Sequence, residues 1–142
     1  MARSIRLAAA AAVLCAAAVL ASDDTTISKD EFKARRARLQ QQIDGVLVLA
    51  GWTEGPDEVY RTYQEANLLY LTGFTEPGAL LLITPKAEVL FLPARNERRE
   101  RYAGKRFAAG DPGVAAQLGF TEVLPVAQFE QRLAQALGDG PN

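Results

Sequence analysis

The chain of 142 residues contains no histidine, one cysteine, one methionine and one tryptophan. The missing histidine excludes the most. A Ser-His-Asp or Cys-His catalytic unit, a His-containing zinc site and an imidazole proton shuttle all need a side chain the sequence does not supply. An excess of charge is missing too. The 16 Lys and Arg against 17 Asp and Glu leave a net charge of −1, which gives no general electrostatic case for a nucleic-acid or anionic-membrane partner. The length suits one domain with a modest core.

What is present begins with a leader. Arg3 and Arg6 precede an unbroken run of 15 apolar residues, Leu7 to Ala21, followed by polar Ser22-Asp23-Asp24. Small residues at Val19 and Ala21 complete the layout of a secretory signal peptide, residues 1–21, with cleavage after Ala21. Spanning a membrane takes roughly 20 apolar residues, so a stable membrane anchor is not expected. Cys15 follows Leu14, where lipoprotein processing wants a small residue. The expected location is secreted or periplasmic, and the remaining domain, residues 22–137, has no cysteine and folds on its core alone. Residues 138–142 read as a tail or the start of a linker.

Along the domain, Ser28 with Glu31 forms a capping box that starts a helix at Lys29. Phe32, Leu39 and Ile43 give it an apolar edge, and Arg35, Arg36 and Arg38 mark its wet side. Gly45 to Ala50 reads as a buried strand and Leu68 to Leu71 as a second. Ala79–Thr84 and Glu88–Leu92 flank Pro85-Lys86-Ala87 as a hairpin. Asn96 to Ala103 reads as a solvated helix. Asp111-Pro112 predicts a short helix running to Leu118 and closed by Gly119. Phe120 to Leu124 is a last strand candidate, and Val126 to Leu137 an amphipathic helix carrying Phe129, Leu133 and Leu137. The alternation argues for an α/β domain with a mixed sheet flanked by helices.

No catalytic constellation emerges. Glu97 and Glu100, the closest carboxylate pair on a helix, are surrounded by Arg95, Arg98, Arg99 and Arg101, and read as a neutralised wet surface. Other acidic residues lack the dense spacing of a hard-cation site. Gly73, Gly78, Gly104, Gly110 and Gly113 form neither a dinucleotide fingerprint nor a phosphate loop. Ser22 and Ser28, the serines beyond the leader, have no base partner. Arg95 to Arg106 holds six basic and two acidic residues. That is a patch for an acidic peptide, a phosphate or a nucleic acid, or a solvated helix laced with ion pairs. The negative net charge disfavours the nucleic acid.

One stretch is specific. Tyr60 to Ala79, with the core Tyr70-Leu71-Thr72-Gly73-Phe74 followed by Glu76-Pro77, resembles the signature of the N-terminal domain of aminopeptidase P, the Xaa-Pro aminopeptidases. Phe32-x-x-Arg35-Arg36-x-x-Leu39, Phe91-Leu92-Pro93 before Arg95, and Glu100 to Arg106 fall in the order that family has. The resemblance covers residues 28 to 137. It departs at Tyr63, where the family usually has Arg, and at Tyr102, where it often has Trp.

The resemblance implies a creatinase N-terminal-like fold within the pita-bread metallopeptidases. That family removes the residue preceding proline with a two-metal site, usually manganese, built by Asp, Glu and His of a C-terminal catalytic domain. Together with the leader and the missing histidine, the resemblance implies a non-catalytic domain of a secreted enzyme that binds no metal itself and, as in the family, contributes to oligomers and to the peptide entrance. Its partners would be a catalytic domain in cis or trans and further copies of itself, with peptide substrates met only alongside that domain. Tyr102 and Arg106 are the candidate subunit-contact or entrance residues by resemblance; the other reading of Tyr102 is an aromatic covering the edge of this domain's own core. The alternative is a free-standing interaction module or a truncated relic.

Overall fold

The computed structural model describes residues 26–54 and 63–138, so the leader, the start of the signature at Tyr60 and the last four residues lie outside it. Helix α1 (Lys29–Gln40) starts where the capping box places it, with Ser28 Oγ accepting from the Glu31 N–H at 3.2 Å. Strand β1 (Leu47–Ala50) follows, then α2 (Ala66–Thr72), the hairpin β2 (Leu80–Ile83) and β3 (Glu88–Leu92), and α3 (Glu97–Ala103). Helix α4 (Val114–Leu118), β4 (Glu122–Pro125), a 3₁₀ turn (Val126–Gln128) and α5 (Phe129–Gly138) complete it.

The four strands lie in the order β1-β2-β3-β4, antiparallel except for the parallel pair β3 and β4. This is the mixed sheet with flanking helices that the alternation of elements predicts. Period-two alternation sends Leu81, Ile83, Leu90 and Leu92 to one face, where Leu68, Leu71, Phe74, Val114 and Phe120 cover them. Leu82, Val89 and Phe91 face the other way, against Phe129, Leu133 and Ala136. There the Phe91 and Phe129 rings meet edge to face at 5.3 Å. Because α5 packs over Val89, Phe91 and Leu124, Val48 and Ala50 of β1 stay exposed, and the strand alternates rather than being buried throughout.

Three further expectations are corrected. Leu68 to Leu71 is helical, not extended. The Glu65 carboxylate accepts from the N–H groups of Asn67 and Leu68, which nucleates the turn, and Gly73 at φ 65° ends it. A Cβ at Gly73 would also sit 2.4 Å from the Phe32 ring, so the glycine is needed for conformation and for space. The second correction is the start of α4. Asp111 and Pro112 form a turn, with the Val114 N–H donating to the Asp111 carbonyl, and the helix begins two residues beyond Pro112.

The third correction is Arg36, which is fully buried rather than on the wet side of α1. Its Nε and Nη2 grip both Glu88 oxygens at 2.6 and 3.1 Å. Nη1 donates to the Leu71 carbonyl at 2.9 Å and Nη2 to the Gly119 carbonyl at 2.6 Å. The guanidinium lies 3.9 Å from the centre of the Phe120 ring. Phe32, Arg36, Leu39 and Ile43 share one helical stripe, so an arginine occupies a core slot.

Candidate functional site

The site follows from how the chain leaves β3. Leu92 is buried, Pro93 packs closely over Gly78, and from Arg95 to Arg106 no residue is buried. Asn96 caps α3 by accepting from the Arg99 N–H at 3.1 Å. The chain returns to the body at Phe107, whose ring stacks at a tilt on Phe74 with centroids 6.4 Å apart, and at buried Ala108. Between those anchors the segment is an arm.

Ion pairs hold the arm. Arg95 Nη1 donates to both Glu100 oxygens at 2.8 Å, and its Nη2 pairs with Asp111. Arg106 makes a two-pronged contact with Glu54 at 2.8 and 3.2 Å, and Arg99 pairs with the same carboxylate. Glu100 also accepts the Arg106 N–H at 3.2 Å, so it staples both flanks of α3 together. Arg98 and Arg101 are exposed.

These contacts set the charge states. The hydrogen bond from Arg106 holds the Glu54 carboxyl below its ordinary range, as the N–H of Ala108 does for Asp111. Glu76 is the exception. Burial pushes it up, although it accepts the Phe107 N–H at 3.1 Å. Between arm and body lies a cavity of about 230 Å³ lined by Glu54, Glu76, Pro77, Pro93, Arg99 and Arg106. A second cavity of about 280 Å³, apolar and between α5 and the β2–β3 hairpin, lies apart from the arm.

Of the two candidate residues, Tyr102 is 89% exposed on α3 and Arg106 is tied to Glu54. Glu54, Glu76 and Asp111 were not singled out from the sequence as members of this site. Glu54 and Asp111 reach the arm from loops 52 and 16 residues away from their partners, and Glu76 reaches its anchor Phe107 from 31 residues away. The available signal was the arm's own cation excess, which requires carboxylates from elsewhere. At the start of the signature, Gln64 accepts from the Trp52 N–H at 3.0 Å and donates to the Glu76 carbonyl at 3.0 Å. The departing residue beside it, Tyr63, is 83% exposed. Among the described residues no group of three or more His, Cys, Asp or Glu is placed to hold a metal ion, and no helix is long and apolar enough to cross a membrane.

Comparison with known proteins extends these observations. Residues 32–142 match the family described as aminopeptidase P, N-terminal domain. The chain is 31% identical over 121 residues to the Xaa-Pro aminopeptidase of Escherichia coli and 32% identical over 120 residues to that of Haemophilus influenzae. Each alignment covers 78% of this chain and 27% of the relative. The structure resembles that of zinc-substituted Escherichia coli aminopeptidase P in complex with product. The TM-score is 0.66 at 29% identity, over 78% of this chain and 27% of that one. The chain thus spans about a quarter of the length of the relatives it matches.

Proposed function

The chain belongs to the aminopeptidase P N-terminal domain family, and from that premise we propose that it is the non-catalytic N-terminal domain of a secreted Xaa-Pro aminopeptidase. In this reading the catalytic domain is supplied in cis or in trans, and it carries the manganese pair that activates water. The described residues of this chain do not fit that pair, having no His and no clustered carboxylate ligands. No step of peptide hydrolysis is therefore assigned to them. The contribution of this chain is shape: it meets another subunit and forms part of the way in for the peptide.

One observation carries the reading. Tyr102 stands almost fully exposed on an arm with no buried residue, braced by Glu54 and Asp111 of the body. An aromatic that covers no core of its own, on a braced support, is suited to covering someone else's. The test has two parts. The pure chain with Mn²⁺ is expected to release nothing from an Xaa-Pro peptide, and turnover abolished by a chelator would overturn the reading. In the enzyme containing its catalytic domain, Tyr102→Ala is expected to raise KM several-fold with little change in kcat, or to loosen the oligomer. If KM, kcat and oligomeric state all stay put, the arm has no entrance role.

A further inference from the structure

The arm and the cavity beneath it carry a second conclusion. We infer that residues 95–106 are a lid latched by ion pairs, which lifts off the cavity as a unit while the sheet stays folded, at a frequency set by ionic strength.

Three observations lead there. First, the arm is attached without core contacts of its own. None of its residues is buried, and its neighbours on both sides are apolar anchors: Pro93 over Gly78, and Phe107 with Ala108 against Phe74 and the core. Moving the arm between those anchors strips no hydrophobic surface from the core, so the main cost of opening is electrostatic. Second, the latches reach the body at carboxylates from two separate loops, Glu54 after β1 and Asp111 before α4. Within the arm, Arg95–Glu100 and the Arg106 N–H to Glu100 hold its two ends to each other. The segment therefore moves as one piece and breaks at its outer pairs. Third, those outer pairs are partly wet. The side chains of Arg99 and Arg106 keep 42% and 29% of their exposure, so salt reaches them. Lifting the arm uncovers Glu76 and the walls formed by Pro77 and Pro93.

This goes beyond the entrance role and does not depend on it, because it rests on how the arm is held rather than on what Tyr102 touches. Hydrogen exchange of the whole chain, followed at arginine guanidinium groups and at backbone amides, tests it. The guanidinium N–H groups of Arg95 and Arg106, donated to Asp111 and Glu54, report the lid. The backbone N–H groups of Leu81 and Leu90 in the sheet report global opening. Between about 0.1 and about 1 M NaCl the screening length falls from about 10 to about 3 Å. The lid guanidinium groups of Arg95 and Arg106 are expected to exchange several-fold faster together across that range while the sheet amides hold. Glu54→Gln is expected to reproduce the acceleration at low salt. Lid groups and sheet amides moving in step, Arg106 accelerating without Arg95, or a lid indifferent to both salt and Glu54→Gln, would overturn the inference. Because the salt series needs no variant, it decides the matter even if Glu54→Gln folds poorly. Exchange can also fail while the KM effect of Tyr102→Ala succeeds, so the two readings fall separately.

Discussion

Arg36 and the arginines of the arm do the same chemistry in opposite settings. Each pairs its guanidinium with one or two carboxylates. Arg36 does so with no exposed surface, adds two backbone carbonyls and an aromatic face, and joins α1, α2, β3 and the end of α4. Arg95, Arg99 and Arg106 do so at the rim, where water and salt compete for every bond. Geometry alone therefore does not rank these pairs. Burial does, because an ion left alone in the core has nothing to turn to, whereas one left alone at the rim is rehydrated.

That ranking can be broken by measurement, starting with the largest effect. Arg36→Ala is expected to lower unfolding free energy by about 3–5 kcal/mol, since it strands Glu88 in the core. Urea titration reads the change, and a loss near that of a rim arginine would abolish the distinction. Next in size is the rescue. Replacing both partners, Arg36→Met with Glu88→Leu, is expected to recover at least about 2 kcal/mol over Arg36→Ala, because apolar fillers remove the stranded charge. If the double variant is no better than the single one, the two carbonyl bonds carry the effect instead of the pair.

Arg106→Ala at the rim is expected to cost about 1 kcal/mol or less at low salt, with the difference shrinking towards zero in about 1 M NaCl. The Arg36→Ala loss should barely respond to the same salt. The smallest effect concerns pH. Glu54 and Asp111 have lowered pKa values, so their contribution is complete above the ordinary carboxylate range and fades as pH falls through those lowered values. Glu76 has the opposite sign. Its raised pKa means that its charged form opposes the fold once pH rises through the folded value. Glu76→Gln is expected to stabilise the chain slightly at neutral pH and to change nothing in acid, as thermal melts at the two pH values would show. A destabilised variant at neutral pH would mean the hydrogen bond to Phe107 outweighs burial.

Much of the architecture was legible where the local signal was strong. The capping box gave the start of α1 correctly, the Pro85-Lys86-Ala87 turn gave the hairpin, and the apolar stripe through Phe129 and Leu133 gave α5. Leu68 to Leu71 is ambiguous in the sequence because four apolar residues in a row suit a buried strand and a buried helix equally well. The deciding contact, Glu65 to the first turn, is polar and easily passed over. Residue type places Arg36 in water, whereas its position on the stripe of Phe32, Leu39 and Ile43 points inward, and position wins. The motif residues explain themselves once placed. Leu71 enters the core, Thr72 donates to the Leu68 carbonyl and accepts from the Phe74 N–H, and Gly73 turns the chain against Phe32. The carboxylates of the arm were not legible as a group, because loop-borne partners meet only once the sheet has formed.

The same dependence on a finished sheet bears on the lifetime of the folded chain. Arg36 reaches partners 35, 52 and 83 positions away, so its bonds await closure of loops of those lengths. Interactions that assemble after the rate-limiting step act as a brake on escape and leave the speed of arrival nearly untouched. One buried guanidinium is thus expected to act chiefly as a slow release, with Arg36→Ala speeding unfolding more than it slows folding in denaturant-jump kinetics.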